Sequence, residues 1–579
     1  MSTALLRRAL RRPGAGVGCS AAGCPRVDVL VIGGGISGVQ IARHCAARGL
    51  ATLLVEKEDF GSGTSAATTK AIHGGLRYLE QGDIPVVVES LRERRLLGLA
   101  APHLVQPRSF LLTAYDWSTP RAPILGAGVG LYEALALGRN RGILRDLRAR
   151  RPRWVRREEL LTQVPWLKRE GLVGAWRHDD SLNLHPERLL LAILQSAVDD
   201  GAVALNHARV TGLLPAPQRG VRVRDELTGE SADIQAEVII NAAGPWAAEA
   251  LGVEAQRNGV AVAQSKGVHL MTRDLGNTDG VYVRGANGHH IVVNPWDGRQ
   301  LIGPTDTPMD GSPDDARAEV SDIELLRETF DSVAETPLRR EDVVDTLVGV
   351  RPLLMSGDST YTSSRRFDII PGQPGVYTVL GGKWTTGRAM GEKVSAEIIA
   401  REAGLPPTKR ISAELPLHAS MRGYSTMSEA LDAAVRAAPH LGLGREQREH
   451  LARMYGEDHV RILGLVAEHP ELGQPLEPQK PQAAGASGRG CLDCAAQVVY
   501  AVEAEGACTL RDVVDRRLSL GTRRAVSAEA LDAVCRVLAT VLGWNGTRLR
   551  EEREAYSAAQ RGRAEILDQG FACPSSALS

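Results

Sequence analysis

Near the start of the chain, Gly33-Gly34-Gly35-Ile36-Ser37-Gly38 satisfies the pattern G-x-G-x-x-G. At that spacing Gly33 permits a tight turn and Gly35 lets a pyrophosphate approach the backbone. Gly38 lets the following helix pack against the preceding strand. The first turn of that helix, with Ser37 in it, presents N–H groups and partial positive charge to phosphate. Glu56 follows 23 residues after Gly33, where a carboxylate accepts hydrogen bonds from an adenosine ribose.

These residues need a strand, a helix and a second strand to hold them. Residues 27–32 read as a short buried strand, 36–48 as a helix ending at Gly49, and 51–55 as a second apolar strand. Strand, glycines, helix, strand and acid in order are far stronger than the glycine pattern alone. They do not separate FAD from NAD. Two later strand-to-glycine turns bear on that choice. Residues 238–246 run through Asn241 to Gly244-Pro245-Trp246, and residues 380–386 through Gly381-Gly382-Lys383 to Thr385 and Thr386. Small-residue turns let a cofactor pass close to the backbone. Spread over so much chain, they suit a long two-ended cofactor in one interleaved unit.

The 579 residues suffice for about two or three domains. Lys+Arg and Asp+Glu both number 69, so nothing global points to nucleic acid. Eight scattered cysteines are no disulfide framework and fit a reducing compartment. Cys491-x-x-Cys494 lacks a second ligand pair and reads as an ordinary pair on a helix surface; no metal site is expected. No stretch has the roughly 18 apolar residues of a membrane span. The longest candidate, residues 122–137, is interrupted by Glu133. Residues 1–26 hold five arginines and no acid, and are expected to be a disordered basic extension or to lie before the natural start. Residues 27–400 read as interleaved α/β domains, and 408–579 as a helical domain with helices at 427–438, 446–455, 494–503, 509–516 and 528–542. A Pro/Gly/Ser-rich stretch at 473–490 divides that tail. A helix is also expected over 182–198.

One long segment is far more specific than the glycine turn. Residues 63–79, running Gly63-Thr64-Ser65-Ala66-Ala67-Thr68-Thr69-Lys70-Ala71-Ile72-His73-Gly74-Gly75-Leu76-Arg77-Tyr78-Leu79, closely resemble the FAD-dependent glycerol-3-phosphate dehydrogenases. So do Ala101-Pro102-His103-Leu104-Val105, residues 241–246, Gly349-Val350-Arg351-Pro352-Leu353 and Gly381-Gly382-Lys383. The resemblance implies a D-amino-acid-oxidase-like fold: a Rossmann-like FAD domain interleaved with a mixed-sheet substrate domain. It also implies FAD, oxidation of sn-glycerol 3-phosphate to dihydroxyacetone phosphate, and transfer of electrons to quinone at a membrane surface. By position it places Arg77, Tyr78, Arg351 and Lys383 around the substrate, with His73, Arg351 and Lys383 as catalytic candidates. The cofactor set becomes Gly33, Gly35, Ser37, Gly38, Glu56, Thr64, Ser65, Thr69, Lys70, Gly74, Gly75, Gly244, Gly382, Lys383 and Thr385.

The chemistry is sensible on its own terms. A substrate phosphate needs fixed cations, and arginine grips it with paired donors. A cation beside the ring stabilises charge developing on a reduced flavin. His73 has a useful ordinary pKa for taking the hydroxyl proton; packing or cofactor-loop support remains its other reading. Asp306 reads as a turn cap. Two stretches depart from the family pattern, 178–188 and 384–388, and both bear on the substrate side. The alternatives are therefore an oxidase using dioxygen, a relative acting on another hydroxy or amino acid, and a flavin-binding, redox-responsive interaction module without turnover.

Residues 139–157 carry nine arginines around Trp154. A basic patch with an interfacial tryptophan could attract anionic lipid, which would put the protein in the cytoplasm and peripherally on the inner face of the cell membrane. The competing reading is a solvated surface. Oligomeric state is not legible.

Overall fold

A computed structural model describes residues 18–19, 25–80, 82–117, 120–251, 263–353, 367–402, 415–437, 441–477, 491–523 and 525–572. Most of the basic N-terminal segment and residues 478–490 of the expected divider lie outside these. Within the N-terminal segment, Gly18–Cys19 pairs antiparallel with Pro25 and Arg26.

Two sheets organise the first two thirds of the chain. One runs in the order Phe367–Pro371, Val376–Gly381, Ser231–Asn241, Pro25–Ile32, Thr52–Val55, Val203–Leu205. From Val376–Gly381 onward its neighbours are parallel. The central strand shows why. Val29 and Val31 enter one buried cluster, while Val27, Leu30 and Ile32 enter another. Alternate side chains point to opposite faces, so the unbroken apolar run from Val29 to Ile32 must be covered on both sides, as parallel sheets are. Helix α1 (Ile36–Ala46) covers one face and is buried from Gly38 to Ala46.

The second sheet runs Thr307–Met309, Ala263–Thr272, Arg299–Gly303, His290–Trp296, Gly280–Arg284, Val105–Tyr115, Leu172–Asn183, Ala71–Ile72. Val343–Leu353 also pairs with Ala263–Thr272, placing Arg351 opposite Ser265. The chain crosses between the sheets repeatedly, giving a mixed α/β fold with interleaved units. Helix α2 (Ile84–Ala100) and helix α3 (Ala122–Leu135) flank the second sheet.

The helix expected over 182–198 begins later. Leu182 and Asn183 continue the strand ladder against Gln106 and Val105. Helix α4 (Pro186–Asp199) starts at a proline, whose missing N–H costs nothing in the first turn.

Beyond residue 402 the described segments are helical, ending in Gly546–Ala572. That last helix returns to the second sheet. Its Leu567 joins the core of that sheet, Arg563 pairs with Asp345 at 2.9 Å, and Gly570 accepts from Arg327 at 3.2 Å. Cys491 and Cys494 are not on a surface. Both are buried as free thiols beside Asp493, and Cys494 is the N-cap of Ala495–Glu503.

Candidate active site

The glycine turn is built as its spacing requires. Gly33 has φ +106°, and a β-carbon there would lie 2.7 Å from the Ala242 carbonyl oxygen. A β-carbon on Gly38 would lie 1.9 Å from the Gly33 carbonyl oxygen. Strand, turn and helix can close only without side chains at these positions. Helix α1 opens with no acidic residue in its first turn, which leaves its N-terminus suited to an anion. Glu56 stands at the end of Thr52–Val55 and accepts from the Gly34 amide at 2.6 Å and its own neighbour Glu58 at 2.9 Å. Burial pushes its carboxyl above the ordinary value, and those amides partly restrain the shift.

Ser65 is the hinge of the loop that follows. Its hydroxyl accepts from the Ile36 amide at 2.9 Å, and its carbonyl accepts from the Trp384 indole at 3.2 Å. Thr64 donates to the Val350 carbonyl, and a β-carbon on Gly349 would lie 2.7 Å from that of Ala67. Residues 64–67 are thus gripped by the helix N-terminus, the third glycine turn and the Arg351 strand at once. Asn294 donates to the Thr69 carbonyl at 2.8 Å.

Lys70 adopts φ +61° and is buried. Its ammonium meets Glu187 at 3.2 Å and the Ala66 carbonyl at 2.8 Å, and lies 4.4 Å from the Trp296 ring centroid. It therefore braces the loop from inside.

At Gly75, φ +82°, a β-carbon would collide with the Tyr78 ring at 2.2 Å and approach the Lys383 ammonium to 3.4 Å. Lys383 lies 4.6 Å from the Tyr78 ring centroid. Thr385 donates to the His73 carbonyl at 3.5 Å, and Gly381 and Gly382 both have positive φ. The structure thus brings His73, Gly75, Tyr78, Lys383 and Thr385 together. Arg77 opens the short helix Arg77–Glu80; its side chain lies outside the described residues. Gly244 starts a 3₁₀ turn at the end of Ser231–Asn241, beside the Ala242–Ala243 backbone that Gly33 touches.

Arg351 is oriented by three acceptors: the Thr305 carbonyl at 3.0 Å, the Ser265 hydroxyl at 3.2 Å and Asp306 at 3.5 Å. Asp306 orients this arginine rather than only capping a turn.

Two residues were not singled out in the sequence. Asp180, buried, accepts from the Gly74 amide at 3.2 Å, from the Tyr132 hydroxyl of α3 at 2.7 Å and from Arg94 of α2. Burial pushes its carboxyl up, but Arg94, His178 and His73 outweigh that and hold it below the ordinary value. It is the floor of the His73–Gly75 loop. His269 is buried, and neither ring nitrogen has a partner among the described residues. Burial, reinforced by Arg351 and Lys70, pulls it down to about 3, so it is neutral at physiological pH. No sequence signal marked either: their strands carry no other candidate and reach the site only by pairing with the strands at Ala71–Ile72 and Val343–Leu353.

A group with a pyrophosphate and a ribose at one end and an anion-forming ring at the other fits this donor set: the glycine cradle, Glu56, and Lys383 across Ser65. Among the described residues no cluster suited to a metal ion occurs.

The chain matches the family described as FAD dependent oxidoreductase over residues 28–397, and the C-terminal domain of alpha-glycerophosphate oxidase over 412–549. It is 34% identical to a glycerol-3-phosphate dehydrogenase of Synechocystis sp., over 91% of this chain and 95% of that one. It is likewise 34% identical to a protein of that name from Mycobacterium leprae, over 94% and 90% of the two. A solved glycerol-3-phosphate dehydrogenase from Bacillus halodurans, complexed with FAD, superposes with a TM-score of 0.74 at 25% identity, covering 94% of this chain and 96% of its own. With its glycine cradle, its Ser65-hinged loop and its helical tail, the chain belongs to the family of FAD-dependent glycerol-3-phosphate dehydrogenases.

Proposed function

We propose that this protein oxidises sn-glycerol 3-phosphate to dihydroxyacetone phosphate and delivers the electrons to quinone. The observation that carries the reading is Lys383 standing over the Tyr78 ring on the loop that bears His73, while the strand of Arg351, a cation fixed by three acceptors, grips the same loop at Thr64 and Ala67. FAD, when bound, supplies the hydride acceptor.

The chain's own residues do the rest. Arg351, fixed by Thr305, Ser265 and Asp306, is pre-organised to grip a phosphate with paired donors. Lys383 supplies positive charge at the ring end of the site. His73 takes the hydroxyl proton of the substrate as its carbon gives up hydride, so that two electrons and two protons leave in all and a ketone forms. Asp180, through the Gly74 amide, holds His73 in place.

Delivery to quinone needs a bilayer contact. Among the described residues no helix is long and apolar enough to cross a membrane. In the basic run, Trp154 is packed edge-on against Trp176 at 5.6 Å, and Arg139, Arg150 and Arg153 pair with Glu133, Asp179 and Glu159. Beside that run, α3 and its flanks add an exposed apolar surface: Ile124 is 63% exposed, Leu137 87% and Trp117 46%, while only Val129 and Tyr132 of the helix are buried. Arg121 precedes this apolar face and Arg141, Arg148 and Arg151 follow it, a charge pattern that complements anionic lipid.

The test is a product assay with glycerol 3-phosphate and a soluble quinone. Equal amounts of dihydroxyacetone phosphate and quinol support the reading. Hydrogen peroxide in place of quinol makes the protein an oxidase, and no product with glycerol 3-phosphate overturns the substrate.

A further inference from the structure

The helical tail meets the FAD domain through a buried ionic cluster that the mechanism does not use. Asp59 is fully buried and accepts from Arg516 at 2.5 Å, from Arg517 at 2.7 and 2.9 Å, and from Asn206 at 2.9 Å. Asp512 joins Arg516 at 2.8 Å and His207 at 2.9 Å. Glu505 joins Arg188 at 2.6 Å and Arg517 at 3.5 Å. Three carboxylates thus face three guanidiniums, with His207 at the rim. Consecutive residues on an α-helix diverge by about 100°. Here Arg516 and Arg517 converge on one carboxylate, and they do so at the end of a π-helical turn, Val513–Arg517.

The cluster sits directly behind the adenosine end of the cofactor site. Asp59 lies three residues after Glu56. The segment from Glu56 to Gly61 is sewn to its surroundings: the Gly61 amide donates to the Gly34 carbonyl at 3.0 Å, and the Gly34 amide donates to Glu56 at 2.6 Å. On the other side the His207 amide donates to the Glu58 carbonyl at 2.5 Å and the Ala208 amide to the Glu56 carbonyl at 2.7 Å. His207, at φ +52°, is held in that conformation with its ring on Asp512. Asn206 bridges as well, donating to Asp59 and to the Gly506 carbonyl at 2.9 Å each. A buried ion set is a poor general adhesive, since desolvation offsets most of its attraction, but it fixes geometry in a way apolar contact does not.

We propose that the C-terminal helices act as a cofactor-retention clamp, with Arg516 and Arg517 as positioning residues that hold Asp59 and thereby set Glu56 and the Gly34 amide against the adenosine half of FAD. The proposal rests on Glu56 as the ribose carboxylate. FAD bound at this end makes tail and flavoprotein core one cooperative unit, and loosening the tail releases cofactor.

The measurement is the FAD dissociation constant, read by quenching of flavin fluorescence on reconstituting the full-length apoprotein. The variants are Glu56→Gln, Arg517→Lys and the two combined. Arg517→Lys is expected to weaken FAD about tenfold, and the double variant to bind no more weakly than Glu56→Gln alone, because the arginine acts through Glu56. Should Arg517→Lys not fold, as judged by far-ultraviolet circular dichroism, His207→Gln at the cluster's rim takes its place with a smaller loss, about threefold. Unchanged FAD binding in a folded clamp variant, or full additivity with Glu56→Gln, overturns the clamp and leaves Glu56 its role. A Glu56→Gln variant that binds FAD normally overturns the ribose assignment, and the clamp with it.

Discussion

At Gly38 an added methyl group would stand 1.9 Å from the Gly33 carbonyl oxygen, so the first turn of α1 must move outward to admit it. The strand and helix cores are untouched, and Gly38→Ala is expected to fold yet purify with little flavin, visible as loss of its absorption band relative to the protein band. Retained stoichiometric flavin would show that the turn does not carry the pyrophosphate. At the other end, Lys383→Met removes the cation beside Tyr78. The expected result is a fall of about 10²–10³ in the flavin reduction rate with little change in FAD content. Equal reduction rates would remove Lys383 from the chemistry. The glycines and Glu56 were legible because turn chemistry and helix starts are written in adjacent residues, whereas Ser65 came only with the family resemblance of its segment. Asp180 and His269 were not: Asp180 acts on Gly74 from a distant strand, 106 residues away, and His269 matters only because Arg351 and Lys70 lie near it.

At the scale of elements, α3 shows how far periodicity reaches. Its apolar composition was evident, but which side faced the core was not. Tyr132, tied to Asp180, and Val129 mark the inner side, and Ile124 and Leu131 the outer. The double variant Ile124→Glu, Leu131→Glu places charge on that outer side without disturbing packing. It is expected to lose co-sedimentation with vesicles containing anionic phospholipid, while flavin reduction by substrate in solution stays unchanged. Undiminished vesicle binding would place the lipid contact elsewhere. The buried parallel strands were legible as apolar runs. Leu172–Asn183 was not, because its His178-Asp179-Asp180 stretch has polar side chains turned inward, with Asp179 and Asp180 satisfied by Arg94, Ser109 and Arg150. Gly546–Ala572 was missed for a similar reason: its composition is polar and its anchors, Arg563 to Asp345 and Leu567, are tertiary.

Taken whole, the molecule is an interleaved flavoprotein core to which the helical tail is fastened at several polar points. One of them titrates. His418 bridges Asp199 at the end of α4 and Asp458 in the tail, at 2.5 and 2.7 Å. Burial alone would lower its pKa, but the two carboxylates outweigh burial and raise it to about 9. A histidine raised in this way contributes stability that is fully present below its unfolded value of about 6.5 and lost as pH rises through the folded one. The thermal midpoint should therefore decline between pH 6.5 and 9. His418→Gln should flatten that decline; the same slope in the variant would assign it to other groups.

Oxidation of glycerol 3-phosphate through FAD is tested most directly by the visible spectrum of the purified holoenzyme, recorded anaerobically while glycerol 3-phosphate or glycerol is added. The geometry of Arg351 and Lys383 predicts that glycerol 3-phosphate bleaches the flavin band stoichiometrically and that glycerol, lacking the phosphate, leaves it nearly unchanged. A flavin band that survives saturating glycerol 3-phosphate would contradict the account.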